Sequence, residues 1–239
     1  MNSSRFPGKP LKKINGIPMI EIIYNKVNAC KFIDKTIVAT CDYEIKNHIK
    51  KIGGTAIMTS KKHQRASDRC GEALKKYERS NKVIFDIVVM VQGDEPMINQ
   101  KMIKQSLKPM IRDKKVQVVN LFSKIKSEEE FKNQNCIKVV CDKNMNAIYF
   151  SRVPILTQSK VKHNLQRKQI CIIPFRRRFL MKYLKLKPTP IEKVESIDMM
   201  RIIEHGFEVK MAQTNFRTHA VDTKSDLVKV EKMMKKTNN

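Results

Sequence analysis

Phe85-Asp86-Ile87-Val88-Val89-Met90-Val91, followed by Gln92-Gly93-Asp94-Glu95-Pro96, reads as a buried strand that stops abruptly at two carboxylates. The apolar run is short and rich in β-branched residues, as a strand covered on both faces of a parallel sheet is. Gly93 is expected to let the chain turn sharply, and Pro96 cannot continue a ladder. Ligands of open α/β sheets sit beyond the carboxyl ends of the strands. Asp94 and Glu95 are therefore expected at the mouth of a cleft. A carboxylate there suits a hard cation such as Mg²⁺ shared with substrate phosphates. An Asx-turn or a helix cap after a strand would use the same residues.

Upstream of this run, strands and helices alternate. Met19, Ile20, Ile23, Tyr24 and Val27 recur at helical spacing and predict a helix over Ile17–Cys30. A strand over Lys35–Thr40 follows, then a helix over Tyr43–Ile52 that Asp42 can cap and Gly53-Gly54 ends. Thr55–Met58 reads as a strand, Lys61–Asp68 as a polar loop and Ser67–Ser80 as a helix. Alternation of this kind predicts a mostly parallel sheet with crossover helices. Downstream, a helix is predicted over Gln100–Ile111. The second half is less regular: strands over Val116–Phe122, Ile137–Cys141, Ala147–Val153 and Ile170–Phe175, a short helix over Glu128–Lys132, and a loop over Ser159–Lys168. A helix over Ile191–Glu204, a strand over Phe207–Ala212 and a last helix over Lys224–Lys236, capped from Asp222 or Thr223, complete the reading. No repeat or linker divides the chain, so one domain over 1–239 is expected.

The 239 residues carry a formal charge of +26, 41% hydrophobic residues and only 6% aromatics, with no Trp. The lysines are spread along the chain and no basic-aromatic stacking platform stands out, which argues against nucleic-acid binding as the main role. A diffuse positive field does attract a nucleoside triphosphate or an acidic sugar. No apolar run approaches the roughly 20 residues of a membrane span, and no signal peptide is recognisable. Six cysteines without a CxxC pair point to free thiols in a reducing cytosol, hence a cytoplasmic protein without membrane insertion.

Near the start, Ser3-Ser4-Arg5-Phe6-Pro7-Gly8-Lys9-Pro10 offers small residues, backbone N–H groups and two cations, the makings of a phosphate cradle without P-loop spacing. Together with Val91-Gln92-Gly93-Asp94-Glu95-Pro96 and Val221-Asp222-Thr223, it gives the chain a resemblance to the 3-deoxy-manno-octulosonate cytidylyltransferase (CMP-Kdo synthetase) family. Asn15-Gly16-Ile17-Pro18-Met19-Ile20, Tyr149-Phe150-Ser151-Arg152 and Pro188-Thr189-Pro190-Ile191-Glu192 match in register, and the likeness runs to about Lys232. The resemblance implies an α/β nucleotidyltransferase (nucleotide-diphospho-sugar transferase) Rossmann-like fold with a smaller mixed sugar-binding and dimerisation lobe, and a homodimer. It implies attack by the anomeric hydroxyl of an acidic sugar on the α-phosphorus of CTP, with release of pyrophosphate, in lipopolysaccharide synthesis.

The resemblance also implies roles for particular residues. Ser4, Arg5, Lys9, His63, Ser67, Asp68, Arg69 and Gln92 match nucleotide-binding positions, Lys9 also counting with Asp94 and Asp222 as catalytic. Asp94 and Asp222 match Mg²⁺ ligands. Ser151, Arg152, Gln169 and Asp198 match the sugar-acid side. The chemistry of the side chains agrees. Phosphoryl-type transfer rests on positioning and charge neutralisation, and an arginine such as Arg152 suits a sugar carboxylate. Plainer roles use the same residues: Asp222 as a helix N-cap, His63 as a satisfied loop histidine and Arg152 as a surface ion pair. No general base is identifiable.

Three departures from the family stand out. The family opens with an apolar strand before the Ser-Ser-Arg segment, and this sequence begins after it. The expectation is that the natural chain starts upstream of Met1. Arg65-Ala66 replaces Ser-Gly in the nucleotide loop. Gln169 and Cys171 replace a histidine and a glycine, and Asp198-Met199-Met200-Arg201 replaces Glu-Gln-Leu-Arg on the sugar side. These departures leave a second expectation open, a truncated remnant that binds a nucleotide or partner without catalysis.

Overall fold

The computed structural model describes residues 6–155 and 167–237. Ser4, Arg5 and most of the loop expected over Ser159–Lys168 lie outside the described residues. Contacts divide the chain into two units, one of Met1–Ile84, Val91–Ile103 and Arg217–Asn239, the other of Phe85–Met90 and Lys104–Phe216.

In the first unit, a 3₁₀ turn over Lys9–Leu11 leads into a hairpin of β1 (Lys13–Ile14) and β2 (Ile17–Pro18). Asn15 and Gly16 join the strands with φ of 49° and 84°, the positive pair that a two-residue hairpin turn needs. α1 (Met19–Asn28) follows at once and buries Met19, Ile20, Ile23, Tyr24 and Val27, the periodic set read from the sequence. β3 (Val38–Thr40), α2 (Tyr43–Lys51) and β4 (Ala56–Met58) form one crossover unit, with β3 and β4 parallel from Val38↔Ala56 to Thr40↔Met58. Ile20, Tyr24, Ile45 and Ile49 close a core between α1 and α2. Gly54 lies so close to it that a Cβ would stand 2.7 Å from Ile49 Cγ2 and 2.9 Å from Tyr24 Cζ. α3 (Ala66–Asn81) follows the polar loop.

β5 (Ile87–Val91) is the strand expected before the two carboxylates, but of its residues only Met90 is buried, where a strand covered on both faces was expected. Gly93, however, makes its turn without a positive φ, and an added Cβ would meet only Ile20 Cδ1 at 3.4 Å. The turn after β5 therefore does not require glycine. α4 (Gln100–Arg112) begins where Asn99 Oδ1 accepts the Met102 N–H at 3.0 Å.

The second unit contains β6 (Val119–Lys124), α5 (Glu128–Lys132), β7 (Lys138–Cys141), β8 (Ala147–Ser151), β9 (Arg167–Ile170), β10 (Ile172–Arg176), α6 (Arg177–Tyr183), α7 (Pro190–Glu195), α8 (Asp198–Glu204) and β11 (Lys210–Gln213). Five strands form a sheet in the order β11-β6-β9-β7-β8, and β10 pairs with β5. β11 runs parallel to β6, but β6/β9, β7/β9 and β7/β8 are antiparallel. The expected mostly parallel sheet is thus corrected to mixed sheets. The cause is local for β7 and β8: a short turn joins them, closed by Asp142 N–H to Asn146 O at 2.9 Å, and so short a connection permits only antiparallel neighbours. The core of this unit includes Leu121, Phe122, Phe150, Ile170, Phe175 and Tyr183, each at most 1% exposed. α9 (Lys224–Thr237) returns to the first unit, where Glu231 Oε1 accepts the Asn15 N–H at 2.8 Å.

Two further expectations are corrected. The strand read over Ile170–Phe175 is two strands, β9 and β10, which break at Cys171. The helix read over Ile191–Glu204 is α7 and α8, separated at Ser196, which is left-handed with φ 58°. There the Arg152 side chain takes the carbonyls that helix continuation would use: Nε donates to Glu195 O at 2.7 Å and Nη2 to Ser196 O at 3.4 Å.

Candidate active site

Three distant stretches of the sequence meet in the first unit. Lys9 follows Gly8 and opens the 3₁₀ turn, Asp94 follows β5 through its terminal turn, and Asp222 precedes α9. Lys9 Nζ lies 3.0 Å from Asp94 Oδ2 and 3.4 Å from Asp222 Oδ1. Burial alone would lower the pKa of this ammonium. The charges of Asp94 and Asp222, and the hydrogen bonds they accept, outweigh it and hold Lys9 above the usual lysine value. The two backbones are tied directly as well, since the Val221 N–H donates to Asp94 O at 2.9 Å.

These groups fit a divalent cation. Among the described residues, no cluster of three or more His, Cys, Asp or Glu is gathered into a cage. Asp94 and Asp222 do face a common positive charge, and two carboxylates with open positions for water and phosphate oxygens are what Mg²⁺ takes. All the donors are hard oxygens, which disfavours a thiolate- or imidazole-seeking metal.

The loop before α3 is organised from within. His63 Nε2 and the Glu72 carboxylate form a short hydrogen bond, and Glu72 also accepts from the Ser60 N–H at 2.9 Å and pairs with Lys76 Nζ at 2.6 Å. Burial would raise the pKa of Glu72, but the bonds from Lys76, Ser60 and His63 pull it down to about 2. Arg69 donates to Thr59 Oγ1 at 2.6 Å and to the carbonyls of Ser60 and His63. His63 and Arg69 therefore shape residues 59–63. Ser67 is fully buried, and Asp68 is half-buried in the first turn of α3. Gln92 is half-buried, with its carbonyl accepting from the Glu95 N–H.

The residues expected on the sugar side lie in the second unit. Glu195 is the hub of one group: its carboxylate accepts from Tyr149 OH at 3.1 Å, from Ser151 Oγ at 3.4 Å and from the Arg152 N–H at 2.9 Å. The Arg152 guanidinium also donates to Gln134 O at 3.2 Å. Gln169 Nε2 donates to Oδ1 of the fully buried Asn120 at 2.5 Å. Asp198 is half-buried at the start of α8, and Met199 behind it is fully buried.

Sequence reasoning passed over Glu72, Glu195 and Asp226. For Asp226 a signal existed: Thr223-x-x-Asp226 has the spacing of a capping box. For Glu72 the only local signal is its i,i+4 spacing to Lys76 on α3; for Glu195 no local pattern betrays the role, because its partners come from another part of the chain.

The fold is that of the α/β nucleotidyltransferase class. The chain matches the cytidylyltransferase family over residues 1–218 and belongs to it. It is 38% identical over 237 residues to the 3-deoxy-manno-octulosonate cytidylyltransferase of Fusobacterium nucleatum subsp. nucleatum, covering 99% of this chain and 94% of that protein. It is 37% identical to the enzyme of the same name from Thermodesulfovibrio yellowstonii, covering 97% and 94%. Among solved structures, a CMP:2-keto-3-deoxy-manno-octonic acid synthetase complexed with CTP superposes with a TM-score of 0.87 at 32% identity, covering 99% of this chain and 95% of that one. A 4-diphosphocytidyl-2C-methyl-D-erythritol synthase from Anaerococcus prevotii shares the fold, with a TM-score of 0.63 at 14% identity.

Proposed function

We propose that this chain transfers CMP from CTP to 3-deoxy-manno-octulosonate, or a near analogue, with release of pyrophosphate. The observation that carries the reading is the Lys9 ammonium held between Asp94 and Asp222. The names of its long, similar relatives supply the acid sugar, and the CTP complex of the similar solved synthetase supplies the nucleotide. Lys9, Asp94 and Asp222 standing together favour catalysis over a remnant that only binds.

The reaction forms a bond from the anomeric hydroxyl oxygen to the α-phosphorus and breaks the bond to the pyrophosphate oxygen, while the hydroxyl loses its proton. Asp94 and Asp222 would hold Mg²⁺, which supplies charge neutralisation on the triphosphate and makes the hydroxyl more acidic. Lys9 offers its ammonium to the phosphate oxygens on which negative charge accumulates. Ser4, Arg5, His63, Ser67, Asp68, Arg69 and Gln92 belong to the nucleotide side in this reading. Internal bonding of the 59–69 segment through Glu72, His63 and Arg69 favours a fixed rim over a mobile one. Ser151, Arg152, Gln169 and Asp198 belong to the sugar side. Arg152 is held by carbonyls on three sides, so it would meet a carboxylate already oriented. A homodimer in the cytoplasm, providing activated sugar for lipopolysaccharide, completes the proposal. The described residues include no helix long and apolar enough to cross a membrane.

The test is pyrophosphate release with CTP, Mg²⁺ and 3-deoxy-manno-octulosonate. Release is expected to need all three, and Asp94→Ala is expected to lower kcat by about 10²–10³-fold or more, the scale of losing a group that stabilises charge in the transition state. Folded protein that releases pyrophosphate with no acid sugar tried would overturn the proposal.

A further inference from the structure

Asp222 reaches the Lys9 ammonium from a segment fixed at two points. On one side the Val221 N–H holds the backbone of Asp94, so the spacing of the two acidic residues is set through the main chain. On the other side stands Asp226, in the first turn of α9. Its Oδ2 accepts from the Asp222 N–H at 3.2 Å, the Thr223 N–H at 2.9 Å and Thr223 Oγ1 at 2.7 Å. Its Oδ1 lies 2.8 Å from His219 Nε2. A carboxylate has about four lone-pair sites, and these donors occupy it on both oxygens. Asp226 is thereby committed to its neighbours and not to a cation.

Part of this arrangement is an ordinary helix start. Thr223 Oγ1 accepts the Asp226 N–H at 3.2 Å and Asp226 answers to the Thr223 N–H, which is a capping box. Besides the Thr223 hydroxyl bond to Asp226 Oδ2, two bonds from other residues exceed that requirement. The Asp222 N–H is outside the box, and His219 contacts the oxygen of Asp226 that caps nothing. His219 and Asp226 side chains are only 16% and 17% exposed, so water competes little for their bond.

We propose that His219 and Asp226 are positioning residues. His219 orients the Asp226 carboxylate, which fixes the backbone of Asp222 and so aims the Asp222 carboxylate at the cation shared with Asp94. The inference rests on the reading of Asp94 and Asp222 as cation ligands. Groups that orient metal ligands in this way typically govern affinity by about 10–100-fold.

The experiment measures Mn²⁺ binding to the full chain by the loss of the free-ion EPR signal, with KM for Mn²⁺ at saturating CTP measured in parallel. His219→Ala is expected to weaken Mn²⁺ by about tenfold. His219→Gln, which keeps an N–H donor, is expected to restore most of it. KM for the acid sugar is expected to stay unchanged, and Tm to fall little. If His219→Ala does not fold, His219→Phe keeps the ring volume without the nitrogen and carries the same test. Asp222→Ala separates the ligand from its support. If it weakens Mn²⁺ while the His219 variants bind as the wild type does, the positioning role is overturned and only the helix cap remains. If Asp222→Ala itself binds Mn²⁺ normally, the assignment of Asp222 as a ligand fails, and the positioning role with it.

Discussion

Lys9 is the residue at which charge and chemistry are most tightly coupled. Its ammonium compensates two carboxylates that would otherwise repel each other. Lys9→Ala is therefore expected to do two things: lower kcat by about 10²–10³-fold, and leave Asp94 and Asp222 facing one another without a cation. A calorimetric scan checks the second effect, because adding Mg²⁺ is then expected to raise Tm more for the variant than for the wild type. Glu72 gives a pH test. Its folded pKa, about 2, lies below the ordinary carboxylate value of 4.5. The stability it contributes is complete above pH 4.5 and is lost as pH falls toward 2. The Tm difference between wild type and Glu72→Gln is expected to be constant near neutrality and to shrink below pH 4.5. A difference that persists undiminished at pH 2 would contradict this. At this scale the sequence was informative where a side chain ends a strand or precedes a helix, as Asp94 and Asp222 do. It was silent where a carboxylate serves residues far along the chain: Glu195 answers Tyr149, Ser151 and Arg152, and no local pattern encodes that meeting.

Among the elements, α7 and α8 are pinned together by a buried pair. Arg201 meets Glu192 through two bonds, Nη2–Oε1 at 2.6 Å and Nε–Oε2 at 2.7 Å, and its guanidinium lies 4.5 Å from the Tyr183 ring centroid. Arg201→Met would leave Glu192 charged and buried at 1% exposure. The expected cost is about 3–5 kcal/mol, or a Tm lower by roughly 10 °C for a chain of this size. A second change, Glu192→Gln, is expected to recover much of the loss, since the buried charge is then gone. Thermal unfolding of the single and double variants decides. Helices with a clean apolar period were legible here: α1, α2, α3 and α4 lie within a few residues of their expected bounds. The break between α7 and α8 was not, because the Arg152 side chain that causes it belongs to another element. Asn15-Gly16 is a hairpin turn that the residue pair itself encodes, and the helix expected from Ile17 passed over it, since Ile17–Pro18 is β2.

For the whole molecule, the charge of +26 is the dominant long-range property. It is spread along the chain, so its effect on a triphosphate is a general attraction and not a contact. Raising NaCl from about 0.05 to 0.5 M shortens the screening length roughly threefold. The value of kcat/KM for CTP is expected to fall over that range while kcat changes little, because the field speeds encounter and leaves the bond-making step alone. Stopped-flow binding of CTP at several ionic strengths measures this directly. The alternation of strands and helices made the α/β class legible. The mixed sheets were not, since pairing direction depends on which distant strands become neighbours.

The division of the chain bears on the order in which the protein is made. The first unit takes its material from the beginning, the middle and the end of the sequence, whereas the second is nearly continuous. A nascent chain emerging from the ribosome presents Lys9 first, Asp94 next and Asp222 last of the three. The second unit has all its parts available before the first does. Domains fold as their segments emerge, and contacts between distant segments form slowly. The charged triad therefore forms only after the second unit has all its segments, and a chain whose synthesis stops short of Asp222 is born without it.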